Sequence, residues 1–153
     1  MLDENKYLQY GFPRENKVEC IVIHNTGNKF STAREFFNYL NKKEKVNAGC
    51  HYLIDSKEII EVMPEDYSVY HTGKGIDYAC KYGIAIEIVS NIDDAIYKKG
   101  QDKAIAFIKQ LMEKYSLTIN DIYFHNDFAN VYCPKDILMN YGNKQNFIRK
   151  EFN

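Results

Sequence analysis

The stretch Gly83-Ile84-Ala85-Ile86-Glu87-Ile88-Val89 is the strongest strand signal in the chain and decides the fold. Its isoleucines occupy alternate positions, a pattern typical of a strand with one fully buried face, so we expect it to be central in a sheet. Glu87 lies on the opposite face, with Ala85 and Val89. A buried carboxylate without a partner is costly. A role beside a metal is one explanation for Glu87, and an ordinary salt-bridged strand acid is the other.

Strands and helices alternate around this central strand. The segment Glu19–His24 is apolar and β-branched and stops at a polar turn, which predicts a second buried strand. Thr32, with Glu35 three residues later, forms a capping box and predicts a helix from Thr32 to Lys42. Further patterns predict a β-hairpin over 51–54 and 58–63, a short strand near 68–72, a helix over 102–115, a strand over 123–125 and a helix over 144–152. The predicted fold class is α/β, with a mixed central β-sheet flanked by helices.

The composition is that of one globular domain without a global charge. The 153 residues are 45% hydrophobic and 27% charged, and a formal net charge of -1 provides no basic field for nucleic acid or an anionic membrane. Apolar runs such as 84–89 are far shorter than the ~20 residues that span a bilayer. The N-terminus lacks the charged and apolar regions of a secretory signal, so we expect cytosolic synthesis. We expect a monomer with no nucleic-acid or membrane partner.

Two of the four histidines end hydrophobic strands, where α/β sheets place their ligands. These are His24 and His125, and Cys133 follows His125 closely enough for a loop to bring its thiol back beside the imidazole. The three side chains make a candidate zinc site that leaves a fourth position for water, as in a catalytic zinc site. Asp127 is a competing oxygen ligand, or a partner that orients a histidine. On composition alone, partly buried histidines and a buried free thiol are the simpler interpretation.

Five segments of the chain occur in the order found in one enzyme family. They are Ile21–Thr26, Ala48–Asp55, Val69–Gly73, Gly83–Ile88, and Phe124–Asp127 together with Cys133-Pro134. In this order the chain resembles the type-2 N-acetylmuramoyl-L-alanine amidases, which are zinc enzymes of bacteriophage endolysins and bacterial autolysins. These enzymes share their fold with peptidoglycan recognition proteins. The resemblance covers about residues 18–140 and implies one catalytic domain over 1–153.

The resemblance implies zinc as the cofactor, with His24, His125 and Cys133 as its ligands. It implies hydrolysis of the amide bond between the lactyl group of N-acetylmuramic acid and L-alanine in peptidoglycan, the polymer of the bacterial cell wall. Glu87 falls where many members carry the catalytic glutamate, which takes a proton from the attacking water and passes it to the departing nitrogen. Peptidoglycan is then the partner, and lysis of the cell wall is the function.

Two positions depart from the family pattern. Cys50 stands where some members carry a tyrosine as an alternative catalytic group, and Val131 stands where many carry a lysine that stabilises the oxyanion. Lys135 is a candidate replacement for that lysine. Cys50 and His71 lie in segments beside the substrate cleft of the family, so we expect both to contact substrate, with a loop-structural role as the alternative for His71. His51 points away from its neighbour Cys50 and is predicted to be a hydrogen-bonded structural residue.

Two other functions remain open on the sequence. Recognition proteins of this fold bind muropeptides without cutting them, but they typically lack the cysteine ligand, so Cys133 and Glu87 favour an enzyme. A protein with a purely structural zinc, or with no metal, is the second alternative. Because no export signal is present, an endolysin of a phage or prophage, released through a membrane lesion, explains access to the wall better than a secreted autolysin.

Overall fold

The computed structural model describes residues 1–29, 32–43 and 48–152, and its centre is a five-stranded mixed sheet. In chain order the described strands are β1 (Gly11–Pro13), β2 (Cys20–Asn25), β3 (Tyr52–Ile54), β4 (Ile59–Glu61), β5 (Tyr67–Val69), β6 (Gly83–Ile88) and β7 (Ile122–Phe124). The order across the sheet is β4-β3-β6-β2-β7, which confirms the predicted central position of β6. β1 and β5 form a separate antiparallel pair.

The directions of the strands bring the carboxyl ends of four of them to one edge of the sheet. β6 pairs in parallel with both of its neighbours, β2 and β3, and β7 adds in parallel to the other side of β2. β3 and β4 form the predicted antiparallel hairpin. Its turn is closed by Asp55, whose Oδ1 accepts the N–H groups of Lys57 and Glu58 at 2.7 and 2.9 Å. The carboxyl ends of β2, β3, β6 and β7 therefore meet along one edge.

Helices cover the sheet and include the predicted ones. The described helices are α1 (Tyr7–Tyr10), α2 (Ala33–Lys42), α3 (Tyr78–Tyr82), α4 (Asp94–Tyr115), α5 (Lys135–Tyr141) and α6 (Lys144–Glu151), and short 3-10 turns cover Glu4–Lys6, Ile119–Asp121 and His125–Asp127. The predicted capping box of α2 is confirmed, because the Thr32 side chain and the Glu35 carboxylate each accept the backbone N–H of the other. Across the described residues, no helix combines the length and the apolar character needed to cross a membrane.

α4 begins at Asp94, well before the start of the predicted helix over 102–115. Asp93 caps it, since its Oδ1 accepts two N–H groups of the first turn at 2.8 and 3.0 Å. Gly100 hides this extension in the sequence, because glycine is a poor helix former. In the structure its missing side chain lets the helix approach the hairpin turn, since a Cβ there would lie 3.2 Å from the carbonyl carbon of Asp55.

The two faces of β6 are buried in different apolar cores. The three isoleucines of β6 are fully enclosed and belong to a large cluster with side chains of α4, α5 and α6. Ala85 and Val89 belong to a second cluster, formed with side chains of α1 and α2. Helices therefore pack on both sides of the sheet, and the alternation places Glu87 on the side of Ala85 and Val89, as predicted.

Other elements also differ from the sequence prediction, which missed the short helices α1 and α3. The strand predicted near 68–72 is β5, which ends at Val69, and the prediction missed its partner β1, a three-residue strand too short for an alternating pattern. The sequence patterns predict no element over 135–141, where α5 lies. Its N-cap residue is Pro134, which has no side chain able to cap, so the usual sequence signal for a helix start is missing.

Replacing Ile86 by alanine is expected to lower the free energy of unfolding by about 2–5 kcal/mol, because the site is fully buried and a cavity would remain. The matched control is Ile59→Ala on the edge strand β4, where 39% of the residue is exposed and the expected loss is below about 1 kcal/mol. Urea unfolding followed by circular dichroism measures both changes. Equal losses for the two variants would contradict a core centred on β6.

Candidate functional site

Three candidate residues lie together at the carboxyl ends of parallel strands. His24 in β2 is paired directly with Glu87 in β6, so the two side chains share one face of the sheet. On the other side of β2, Ile23 pairs with Phe124, the last residue of β7, and His125 follows in a 3-10 turn. Strand register, and not nearness in the sequence, brings the two histidines and the carboxylate together.

A closed loop returns Cys133 to the two histidines. The N–H of Asn126 donates to the carbonyl oxygen of Cys133 at 3.0 Å, which joins the two ends of the loop. The helix α5 that follows is tied to the sheet, because Asn25 Oδ1 accepts the N–H of Asp136 at 3.0 Å and acts as a cap from a distant part of the chain. As a result, Cys133 Sγ lies 4.0 Å from Nδ1 of His24.

His24, His125 and Cys133 form a compact cluster of potential metal ligands. One donor atom of each residue lies within 4.8 Å of the other two. Imidazole nitrogen and thiolate sulfur are donors that suit zinc. His24 is buried, whereas His125 and Cys133 are partly exposed, so the cluster opens to solvent on one side. Three protein ligands with an open side is the arrangement of a catalytic metal site.

Burial keeps His24 and Cys133 uncharged when no cation is present. It lowers the pKa of His24 well below its ordinary value, and the neighbouring His71 and His125 lower it further. Burial also raises the pKa of the Cys133 thiol to about 12. A neutral imidazole is ready to bind a metal, but a thiol must first lose its proton. Metal binding at this cluster would therefore release a proton from Cys133.

Glu87 borders the cluster with an unpaired carboxylate oxygen. Its Oε2 is enclosed, and within the described part of the chain no group forms a hydrogen bond with it. Burial raises the pKa of this carboxyl to about 8. The charge on Glu87 contributes to raising the pKa of both Cys50 and Cys133, which reflects how close the three side chains lie. A carboxyl of this kind can accept and donate a proton near neutral pH, as general acid-base catalysis requires.

Cys50 and His71, the two predicted substrate contacts, both lie beneath the surface. Cys50 is 1% exposed, and burial raises the pKa of its thiol. His71 is 6% exposed, and its ring nitrogens lie 2.9 Å from Nε2 of His24 and 3.2 Å from the carbonyl oxygen of Ala79. Burial lowers the pKa of His71 to about 4, so the ring is neutral near pH 7. Direct contact with substrate stays a prediction for both residues.

The other candidate residues lie around the cluster. Asp127 uses its carboxylate to hold the turn that carries His125, since Oδ2 accepts the N–H of Phe124 at 2.8 Å and lies 2.6 Å from Nζ of Lys144.

Val131 is exposed on the loop before Cys133, and an open hollow of about 410 Å³ lies against this loop, lined by Lys74 and residues 126–131. Lys135 is exposed in the first turn of α5, and its part in catalysis stays a prediction.

His51 is confirmed as a hydrogen-bonded structural residue. Its Nδ1 accepts the N–H of Ala85 at 2.9 Å, so the proton of the neutral ring lies on Nε2. That nitrogen donates to the carbonyl oxygen of Tyr67 at 2.8 Å. Burial lowers the pKa of His51 to about 3, in keeping with a neutral ring that links β6 to β5.

The sequence analysis missed two residues that support the cluster, Asn25 and Thr72. Asn25 anchors α5, and its signal is a polar residue at the end of an otherwise apolar strand. The carbonyl oxygen of Thr72 lies 3.1 Å from Nε2 of His125. Every residue type has a backbone carbonyl, so the identity of residue 72 carries no signal for this contact.

Known proteins share this sequence pattern. The sequence profile of the N-acetylmuramoyl-L-alanine amidase family matches residues 14–136. The N-acetylmuramoyl-L-alanine amidase CwlA of Bacillus subtilis (strain 168) is 32% identical over 134 residues, which cover 85% of this chain and 48% of the relative. The N-acetylmuramoyl-L-alanine amidase XlyB of the same strain is 30% identical over 128 residues, 82% of this chain and 40% of the relative. The chain thus spans about half the length, or less, of these curated relatives.

The fold is also shared with a solved structure. The structure of PlyL superposes with a TM-score of 0.87 at 25% sequence identity. The matched region covers 99% of this chain and 94% of PlyL. The mixed sheet with helices on both faces is therefore the architecture of PlyL as well.

Replacing Glu87 by glutamine is expected to change how the stability of the metal-free protein depends on pH. With its pKa raised to about 8 by burial, Glu87 keeps its proton in the folded chain. In the unfolded chain the same carboxyl ionises above about pH 4.3. The wild type therefore loses stability relative to Glu87→Gln as the pH rises from about 5 to about 8, by up to about 1.4 kcal/mol per pH unit, and the difference levels off above this range.

Urea unfolding of both proteins in a chelating buffer, repeated across this pH range, measures the effect. Because the two proteins share every other titrating group, the difference between them isolates Glu87. A difference that stays constant with pH, or that changes in the opposite direction, would contradict a buried carboxyl with a raised pKa at this position.

Proposed function

Because the chain belongs to the N-acetylmuramoyl-L-alanine amidase family, we propose that it hydrolyses the amide bond between N-acetylmuramic acid and L-alanine in bacterial peptidoglycan. The observation that carries the proposal is the cluster of His24, His125 and Cys133 beside the carboxyl of Glu87, whose Oε2 is enclosed and has no hydrogen-bond partner among the described residues. A structural zinc is normally enclosed by four protein ligands. Here three potential ligands and one acid-base group meet at an open side, which favours a reaction with an external substrate.

Zn²⁺ is the proposed cofactor, with His24, His125 and Cys133 as its ligands. The fit rests on the donor chemistry of the cluster, since two imidazoles and one thiol converge within 4.8 Å. Nε2 of His24 and Nε2 of His125 are already engaged with protein groups, which leaves Nδ1 of each ring for the metal. When bound, zinc supplies a Lewis acid that polarises the scissile carbonyl group and acidifies a water molecule.

Glu87 is the proposed carrier of the proton. Hydrolysis forms a bond between the water oxygen and the carbonyl carbon, breaks the carbon-nitrogen bond, and transfers one proton from water to the departing nitrogen of L-alanine. The carboxylate of Glu87 accepts this proton and returns it to the nitrogen. Burial raises the pKa of Glu87 to about 8, which makes it a stronger base than an exposed carboxylate and still able to release the proton. The pairing with His24 keeps it beside the reacting groups.

The proposed setting is the bacterial cell wall, where the protein acts as an endolysin or an autolysin. We propose that residues 1–153 work as one catalytic domain with its core at about 18–140. The alternative is a module of the same fold that binds peptidoglycan without cutting it. Such a module needs neither a thiol ligand nor an unpaired acid beside it, so Cys133 and Glu87 favour the enzyme.

Removing the metal is expected to abolish hydrolysis while most of the fold remains, because the two apolar cores of the sheet do not include the three ligands. The test treats the protein with a chelator, then measures release of amino groups from purified cell wall and the far-ultraviolet circular dichroism. Adding one equivalent of zinc should restore activity. Unfolding on chelation would indicate a structural metal, and full hydrolysis by the metal-free protein would exclude the proposed role of zinc.

Glu87→Gln is expected to lower kcat by about 10²–10⁴ while zinc stays bound, because the amide keeps the shape of the side chain but cannot accept a proton. Metal content and amine release are measured on the same sample. The matched control is Glu113→Gln on the exposed side of α4, which should leave kcat unchanged. Wild-type activity in Glu87→Gln would remove Glu87 from the mechanism. Zinc binding by the wild type without hydrolysis of any wall preparation would favour the binding module.

A further inference from the structure

Two neighbouring residues outside the ligand cluster contact its two histidines. His71 lies with Nδ1 2.9 Å from Nε2 of His24. The carbonyl oxygen of Thr72, the next residue, lies 3.1 Å from Nε2 of His125. Nε2 of each histidine in the cluster thus contacts the same short segment, here called the His71–Thr72 support.

The acceptors of this arrangement determine where the ring protons lie. A carbonyl oxygen can only accept, so Nε2 of His71, at 3.2 Å from the carbonyl oxygen of Ala79, must donate its proton there. A neutral imidazole carries one proton, which leaves Nδ1 of His71 as an acceptor. His24 must then donate from Nε2, and its unprotonated Nδ1 faces Sγ of Cys133 at 4.0 Å. A chain of two hydrogen bonds therefore runs from a helix carbonyl to the ligand ring.

His125 is held by a single hydrogen bond to the support. Its Nε2 donates directly to the carbonyl oxygen of Thr72, so Nδ1 is the atom without a proton in the neutral ring. In both rings of the cluster, Nε2 is engaged by the support and Nδ1 is left for a metal. One support segment sets the tautomer of two rings from different elements, β2 and the 3-10 turn that follows β7.

The support is itself fixed by α3. The hydroxyl of Thr72 donates to Oδ2 of Asp77 at 2.6 Å. Oδ1 of Asp77 accepts the N–H of Cys80 at 2.8 Å and caps α3, the helix that also provides the carbonyl of Ala79. His71 is 6% exposed, so solvent has little access to compete for its hydrogen bonds.

We propose that His71 is a positioning residue that acts on the metal centre through His24. It holds His24 in the tautomer and orientation that present Nδ1 to zinc, and Thr72 does the same for His125 through its carbonyl group. This inference rests on the proposed zinc site. Loss of such an outer partner typically weakens metal binding by about 10–100-fold.

Two substitutions of His71 separate this role from a purely structural one. In His71→Asn the amide oxygen stands near the position of Nδ1 and can still accept from His24, but the bond to Ala79 is lost. In His71→Gln the amide nitrogen stands near the position of Nε2 and can still donate to Ala79, but the acceptor for His24 is lost. The two variants therefore each keep one half of the hydrogen-bond chain.

Zinc affinity is measured for wild type and both variants by competition with a coloured chelator, with thermal unfolding of the metal-free proteins as the check on folding. We expect His71→Gln to bind zinc about 10–100-fold more weakly than wild type, and His71→Asn to stay within about threefold. If His71 only held its segment against α3, His71→Asn would bind zinc more weakly than His71→Gln. Equal affinity in all three proteins, or tighter binding by His71→Gln than by His71→Asn, would overturn the proposal.

A measurement on the wild type keeps the proposal testable if a variant does not fold. Long-range ¹H–¹⁵N correlation spectra of the zinc-loaded protein report which ring nitrogen carries a proton and which binds the metal. Protons on Nε2 of His24, His71 and His125 are expected, and zinc bound to Nε2 of His24 would contradict the proposal. Absence of zinc binding by the wild type would instead contradict the proposed function, so the two failures are distinguishable.

Discussion

The parallel pairing of β2 with β6 is the constraint on which the rest of the site depends. It sets His24 opposite Glu87 on strands about 4.8 Å apart, at the edge where four strand ends meet. Side chains alternate along a strand, so the register that buries Ile23 and Ile86 in one core turns His24 and Glu87 to the other face. A slip by one residue would exchange the two faces, which would bury both polar groups in the larger core and move its isoleucines to the other face. The apolar pattern therefore specifies the site as well as the fold.

Burial of the side chains at the site explains why the cluster suits a cation. Burial removes the positive charge from His24 and keeps protons on Cys133 and Glu87, whose pKa values rise to about 12 and about 8. Without a metal, all three groups are therefore held neutral near pH 7. A bound divalent cation favours the thiolate and the carboxylate, which reverses the effect of burial on these two acids. The affinity for metal should consequently rise with pH, since Cys133 gives up a proton on binding.

Patterns of apolar residues predicted the central strand, the β3–β4 hairpin and the strand-end histidines, because strand alternation and burial depend on residue type alone. Elements stabilised by distant partners escaped prediction. The helix α5 is capped by Asn25, far away in the sequence, and the early start of α4 is hidden by Gly100, which is there for close packing against Asp55. Cys133 was identifiable as a ligand candidate from spacing and resemblance, whereas the enclosure of Cys50 depends on the packing of α1 and α2 above it.

The two hydrogen bonds of the His71–Thr72 support respond differently to substitution. The bond to His24 comes from a side chain, so a substitution at residue 71 can remove it while the backbone stays in place. The bond to His125 comes from a carbonyl group, which every residue type would provide at position 72. Its geometry depends instead on the path of the backbone, which the hydroxyl of Thr72 fixes through Asp77 and the cap of α3. Orientation of one ligand is thus encoded in a single residue type, and orientation of the other is encoded in the fold of a loop.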